Sequence, residues 1–293
     1  MKHHEPRQIT PRVGPELDLE GDIPRYWFAG DAFKTRLFDA MSLLFPEGEK
    51  FFISCVRDYR EKITDSGMQQ QVKDFIYQEG QHGSVHTRFN NRLKAQGIAV
   101  EKILQSQRDI MFGYFRKKFP AVYTLGQTVA AEHLTAMMAH TFFGNNMFAD
   151  ADPRIRAMYA WHAVEEIEHK AVAFDVFRHV AKGGYAVRAL SMVQVSISFP
   201  LHVFLIMRYM FKVDEVPDRG RVWLKGLWWL YKPGGVCARM LGDYLAFFAP
   251  GFHPWQRGDM QVYRRWLAAY ARHDGDAVAA ADAVIRHTLA EAA

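Results

Sequence analysis

Ile76-Tyr77-Gln78-Glu79-Gly80-Gln81-His82 and His162-Ala163-Val164-Glu165-Glu166-Ile167-Glu168-His169 are the two stretches on which the reading of this chain turns. Each contains Glu-x-x-His, pairing Glu79 with His82 and Glu166 with His169. Residues three apart share a face of an α-helix, so each pair aims a carboxylate and an imidazole at one point. Both stretches sit in helical patterns. Glu79 and His82 continue the face of Val72, Phe75 and Ile76, while Glu166 and His169 lie between Met158 and Ala173. His162 stands one turn before Glu166 and faces the same way. Ionisable groups on an apolar stripe are costly unless paired or bound to a metal.

Helical bundles that hold two metal ions add a lone glutamate from each of two further helices. Glu132 fits one place, because it interrupts the stripe of Leu125, Val129, Ala136 and Ala139. For the other, Glu49 aligns with Phe45, Phe52, Ile53 and Val56, whereas Glu47 aligns with the mixed face of Phe51, Ser54 and Asp58. Glu49 is therefore preferred. The expected metal ligands are Glu49, Glu79, His82, Glu132, His162, Glu166 and His169, serving two ions, with iron expected and manganese or zinc as alternatives. His86, one turn after His82, reads as a hydrogen-bonded neighbour, with an eighth ligand or a substrate group as the alternative. Glu165 and Glu168 fall on another face and read as solvated or as supporting groups. His133, His140 and His179 read as structural.

Outward from these motifs the pattern is helical almost throughout. Spans are expected near 33–44, 46–64, 67–96, 100–118, 120–144, 152–182, 185–212, 220–232, 234–248 and 257–290, the last broken near Gly275. Breaks are placed at Pro46, Gly67, Gly97, Pro120, Pro153, Gly183-Gly184, Pro217 and Pro233-Gly234. Valine and isoleucine recur at three and four rather than alternating, so no strand is expected. The fold class is all-α: a ferritin-like helical bundle with additional C-terminal helices. Residues 1–30, with Pro6, Pro11, Pro15 and Pro24, read as an extended N-terminal arm, and 31–293 as a single helical domain.

The 293 residues are 49% hydrophobic, enough to bury one sizeable core. A net charge of +5 spread over 37 basic and 32 acidic residues, without an arginine-rich block, argues against nucleic-acid binding. Cys55 and Cys237 form no disulfide framework or CxxC pair, and Met1 to Glu5 opens no apolar leader, so a cytoplasmic protein is expected. Ala189 to Met207 runs nineteen residues without a charge. Its polar stripe of Ser191, Gln194, Ser198 and His202, with Pro200 in the middle, favours a buried helix over a membrane span. Peripheral membrane contact is the alternative, supported by the mixed aromatics and lysines of Trp223 to Lys232.

At Phe45-Pro46-Glu47-Gly48-Glu49-Lys50-Phe51-Phe52, Glu79-x-x-His82, Glu132, His162-x-x-x-Glu166-x-x-His169 and Gly251-Phe252-His253-Pro254-Trp255 the chain resembles a bacterial family described as predicted metal-dependent hydrolases. The order of ligands, with a histidine one turn before the last Glu-x-x-His, is also similar to the p-aminobenzoate N-oxygenases. In those ferritin-like enzymes a di-iron centre activates O2. The resemblance implies lone carboxylates at Glu49 and Glu132, bridging carboxylates at Glu79 and Glu166, and imidazole ligands at His82, His162 and His169. The expected function is thus a di-iron oxygenase or oxidase using O2, an electron donor and a small-molecule substrate. The alternative is a metal-dependent hydrolase, with Glu165 or His86 as proton shuttle. A homodimer is a further open alternative. Expected pocket aromatics are Phe75, Phe112, Tyr123, Phe142, Phe174 and those of 199–211.

Overall fold

The computed structural model describes residues 9–256 and 260–292; the first eight residues of the expected arm lie outside the described residues. Helix α1 (Ala32–Arg57) starts where the Asp31 carboxylate accepts a hydrogen bond from Lys34 N at 2.9 Å. It does not break at Pro46, contrary to the sequence expectation. Proline cannot donate to the carbonyl four residues back, and here that carbonyl, on Ser42, accepts from Asn90 Nδ2 at 2.9 Å. The unbroken helix carries Ser42 and Glu49 on one rigid element. Helix α2 (Ser66–Ala95) is capped by Asp65, whose side chain accepts from Met68 N at 2.7 Å, and is followed by Gly97 at φ +84°.

Helix α3 (Val100–Arg108) runs into a π-helical stretch, Asp109–Phe115, and the short α4 (Arg116–Lys118). Helix α5 (Ala121–Gly144) follows Pro120, and α6 (Pro153–His169) starts on Asp152 with proline in its first turn. The expected single helix over 152–182 is interrupted. α6 ends at His169, and α7 (Val172–Asp175) with a π-helical turn, Val176–Val180, completes the span. The remaining helices are α8 (Tyr185–Val213), α9 (Arg219–Tyr231), α10 (Val236–Ala246), α11 (Gln261–Arg272) and α12 (Ala277–Ala292). The last two part at Gly275, φ +84°, as the pattern predicts. Among the described residues the sole extended pairing is one antiparallel bridge between Phe28 and Ala151, so the protein is all-α.

Helices α1, α2, α5 and α6 pack around a common interior, with α8 laid against α1 and α5 and the α11–α12 pair against α6. The α5–α8 crossing is close: a Cβ on Gly126 would meet Ser191 Oγ at 2.8 Å. Every residue of α6 from Ile155 to His169 is buried, because helices and the N-terminal segment cover all its sides. That segment lies on the bundle through Ile9, Leu19, Trp27 and Phe28, all buried. Trp27 also donates through Nε1 to Asp39 at 3.0 Å.

Arg36 of α1, fully buried, ties two parts of the chain together. It donates to Asp39 at 2.8 Å and to both oxygens of Asp214, past the end of α8, at 2.6 and 2.7 Å. Losing one member of a buried ion network leaves its partners uncompensated, at about 3–5 kcal/mol. Arg92, Trp27 and Arg25 also reach these carboxylates, so Arg36→Met is expected near the lower end of that range. A urea denaturation midpoint equal to wild type would show that the network carries no such weight.

Candidate metal centre

The fold brings all seven expected ligands into the interior of α1, α2, α5 and α6, and every one is buried. Two groups of three have ligand atoms within 4.8 Å of one another: Glu49, His82 and His162, and Glu79, Glu166 and His169. Glu166 lies between them. Its Oε1 is 3.0 Å from His162 Nε2, 3.7 Å from His82 Nδ1 and 3.7 Å from His169 Nε2. Glu132 joins the second group, its Oε2 3.5 Å from His169 Nε2, which is also 3.0 Å from Glu79 Oε1. Glu47, the rejected alternative, turns away and pairs with Lys50 and Arg108.

These atoms converge without satisfying one another. Both oxygens of Glu49, Glu79 and Glu132, with His82 Nδ1 and His169 Nε2, are buried and make no hydrogen bond. Buried polar groups left so are rare, and a cluster of them facing one point suits a cation. Imidazole nitrogens mixed with carboxylates form a donor set that iron, manganese and zinc all accept. The residues present therefore fit a dinuclear metal site. Gly83 gives one carboxylate room, since a Cβ there would stand 3.0 Å from Glu49 Oε2.

The electrostatics fit too. Burial, then the neighbouring carboxylates, push Glu49 and Glu132 well above the usual carboxylate range, and burial does the same more mildly for Glu79. Glu166 goes the other way. Burial opposes its ionisation, but the adjacent imidazoles of His162 and His169 prevail and hold it well below that range. His169 rises in turn, against its burial, because the carboxylates of Glu166 and Glu79 stand beside it, whereas burial and adjacent imidazoles press His82 down. Such carboxylate crowding is what cations relieve.

Behind the ligands, each imidazole is oriented through its other nitrogen. His82 Nε2 meets Glu165 Oε2 at 3.1 Å, and His169 Nδ1 donates to Gln78 Oε1 at 3.0 Å. His162 Nδ1 meets His86 Nε2 at 2.7 Å, His86 Nδ1 meets Ser42 Oγ at 2.8 Å, and Ser42 donates to Asn90 Oδ1 at 2.8 Å. With Asn90 accepting at the far end, every proton in this chain points outward from His162, leaving its Nε2 bare toward the cluster. His86 is thus a hydrogen-bonded neighbour of His162 and Ser42.

Glu165 and Glu168 correct the sequence reading where it allowed solvation. Both are buried, because α6 has no solvent face. Arg12, from the N-terminal segment, donates to Glu168 at 2.7 and 3.0 Å and to Glu165 at 3.4 Å, and Glu168 accepts from Gln78 at 2.9 Å. Burial carries the Glu165 carboxyl up to about 8 even so. Arg12, Ser42, Gln78, Asn90 and Thr135, which donates to Glu166, carry no ligand-type spacing and were not singled out by the sequence. Removing such outer partners typically costs 10–100-fold in metal affinity. Arg12→Ala is expected to weaken metal retention by about that factor, read by competition with a chromophoric chelator; retention equal to wild type would detach Arg12 from the centre.

A cavity of about 300 Å3 opens on the cluster through Glu49, His162 and Glu166. Its walls come from α1, α5, α8 and the π-helical stretch, which contributes Ile110, Met111 and Phe115. Phe199 lines it as expected and Phe142 lines an adjoining pocket. Phe75, Tyr123 and Phe174 do not line it: Phe75 packs edge-on against His169 at 5.0 Å, supporting the ligand from behind. The stripe expected to make α8 a plain core helix lines the cavity instead, through Gln194, Ser198 and His202.

No curated protein and no solved structure matches the chain. The likeness to N-oxygenases thus stands on ligand order alone. A family model matches residues 12–258, a span that holds Arg12, all seven clustered residues and the cavity wall. On this match the chain belongs to the family described as predicted metal-dependent hydrolases.

Proposed function

We propose that the chain is a metal-dependent hydrolase acting on an apolar ester or amide held beside a dinuclear centre. The observation that carries this is that Glu49, His162 and Glu166 are at once members of the metal clusters and part of the cavity wall. Whatever occupies the cavity therefore meets the centre directly. The ligand roles proposed are those of the sequence reading: Glu49, Glu79, Glu132 and Glu166 as carboxylate ligands, and His82, His162 and His169 as imidazole ligands.

When bound, the metal pair supplies Lewis acidity, polarising a carbonyl and lowering the pKa of water. The chain does the rest. The lining holds no lysine or arginine, which favours a neutral ester or amide over a phosphate. Gln127, Gln194, Ser198 and His202 form a polar strip on an otherwise apolar wall and suit the orientation of one polar group. His202 Nδ1 lies 2.6 Å from the Ser198 carbonyl, so Nδ1 carries the proton and Nε2 is an acceptor. That makes His202 a better-placed proton acceptor than Glu165 or His86, neither of which lines the cavity.

A second reading, an O2-using di-iron oxidase, is favoured by the mostly apolar cavity and by the mixed carboxylate and imidazole donors. The two separate in one experiment. Protein loaded with zinc, manganese or iron is assayed on nitrophenyl esters and anilides with and without O2. The hydrolase reading expects turnover without O2, loss on chelation and label from H218O in the acid product. O2 consumption by the iron form, with no hydrolysis by any form, would replace it with the oxidase.

A further inference from the structure

Helix α8 is amphipathic in the unusual sense. Its polar stripe faces the cavity, and its outer face is an apolar row of Leu190, Val193, Ile197, Leu201 and Leu205, from 44% to 64% exposed. Successive members are three or four residues apart, so the row is straight and runs about 22 Å along the helix. The expectation that 189–207 is simply buried therefore fails: its inner side packs on α1 and α5, and no described residue covers its outer side. Helix α9 adds Leu224, Trp228 and Tyr231, each more than half exposed. An apolar surface this continuous, on a chain with a well-filled core, marks a contact face.

Charge decides what the face meets. Helices α8 and α9 contain no aspartate or glutamate. The row on α8 continues, at the same spacing, into exposed Arg208 and Lys212. On α9, exposed Arg221 and Lys225 stand three residues before Leu224 and Trp228, on the same side, and exposed Lys232 follows Tyr231. The exposed acids Glu215 and Asp218 lie in the turn between the two helices. A second copy of this chain would press cations against cations. An anionic lipid surface supplies the opposite charge, and leucine, tryptophan and lysine at one interface is the composition such surfaces select.

The interior agrees. A second apolar cavity, about 290 Å3, lies between α1, α5, α8, α9 and α10 and reaches the surface at exposed Tyr231 and Leu241. It shares Leu134, Met138 and Phe199 with the cavity at the metal cluster. The two cavities thus share a wall of three side chains, and the second opens beside the apolar face.

We propose that the α8–α9 face docks on an anionic lipid surface, so that the cavity system opens toward the bilayer interface. Only the use of that opening by a substrate rests on the hydrolase reading; the docking does not.

The test is co-sedimentation of the full chain with phosphatidylcholine vesicles with and without phosphatidylglycerol, at low and high salt. Binding to the anionic vesicles, weakened by salt, is expected. Ile197→Glu with Leu201→Glu is expected to abolish it while leaving helicity, metal content and monomer mass unchanged. Arg208→Ala with Lys225→Ala is expected to weaken it about thirtyfold, at about fivefold per cation near the surface. Wild-type protein that ignores anionic vesicles, or a double-glutamate variant that binds like wild type, overturns the proposal. A wild-type dimer that the glutamates convert to monomer, without vesicle binding, assigns the face to a second copy instead. Vesicle binding by a protein that hydrolyses no ester would leave docking standing and remove only the hydrolase reading.

Discussion

Glu166→Ala is expected to purify with no more than a trace of metal, and Glu79→Ala and His169→Ala with at most one ion per chain. The asymmetry follows from position. Glu166 Oε1 lies within 3.0 to 3.7 Å of one nitrogen from each of the three imidazoles, and so touches both clusters. Glu79 and His169 belong to one cluster, 3.0 Å from each other. Loss of an outer partner costs a metal site 10–100-fold, so loss of a ligand itself is expected to exceed about 100-fold. Catalysis should fall with occupancy in all three. Glu47→Ala is the control. Its carboxylate is buried too, yet pairs with Lys50 and Arg108, so it should keep full metal. Metal analysis after dialysis reads all four. Full occupancy in Glu79→Ala and His169→Ala would refute the assignment of both.

Glu132→Gln is expected to change stability in opposite directions with and without metal. Without it, Glu132 is a buried carboxyl beside Glu79 and Glu166, with no hydrogen bond to either oxygen. Burial and those neighbours raise its pKa well above the ordinary 4.5, so folding favours its neutral form. A group raised in this way helps the fold at low pH and loses that contribution as pH climbs through its folded value. In chelator-treated protein the gain from Glu132→Gln should therefore be nil in acid, where the carboxyl is already protonated, and grow toward neutral pH.

With metal present the sign reverses. Ions at a thousand times their dissociation constant add about 4 kcal/mol to stability, and an amide binds them far more weakly than a carboxylate. At about 2–4 °C per kcal/mol for chains approaching this length, each ion held at that excess should raise the melting temperature by about 10 °C over the chelated form. Glu132→Gln should close most of that gap. Calorimetry of loaded and chelated samples across pH checks both signs, and a variant destabilised equally in both states would mark Glu132 as a structural residue.

How much of this was written in the chain differs from helix to helix. The clustering of these carboxylates and imidazoles was legible because helical spacing converts directly into direction: Glu79 and His82 must share a face wherever α2 lies. Glu49 over Glu47 was legible because apolar neighbours mark the inward side of α1, and the structure places Glu47 among cations instead. Pro46 misled, because the carbonyl it orphans is satisfied by Asn90, far along the chain on α2. For Glu165 and Glu168 the spacing does not separate a solvated group from a supporting one. Periodicity finds a helix face only where one side meets water, and α6 meets none.

Local spacing, then, determined that the protein is helical and which carboxylates and imidazoles point inward, since those follow from 3.6 residues per turn alone. Only the tertiary structure decided that Glu166 stands between two clusters, that Arg12 reaches back to hold Glu165 and Glu168, and which way α8 faces. Those depend on helices and segments distant in the chain meeting in space, Arg12 and Glu168 being 156 residues apart. The polar stripe of α8 shows this most plainly. The sequence contains both its faces, but a helix whose polar side meets a buried cavity and whose apolar side lies bare reads, residue by residue, the same as one turned the other way.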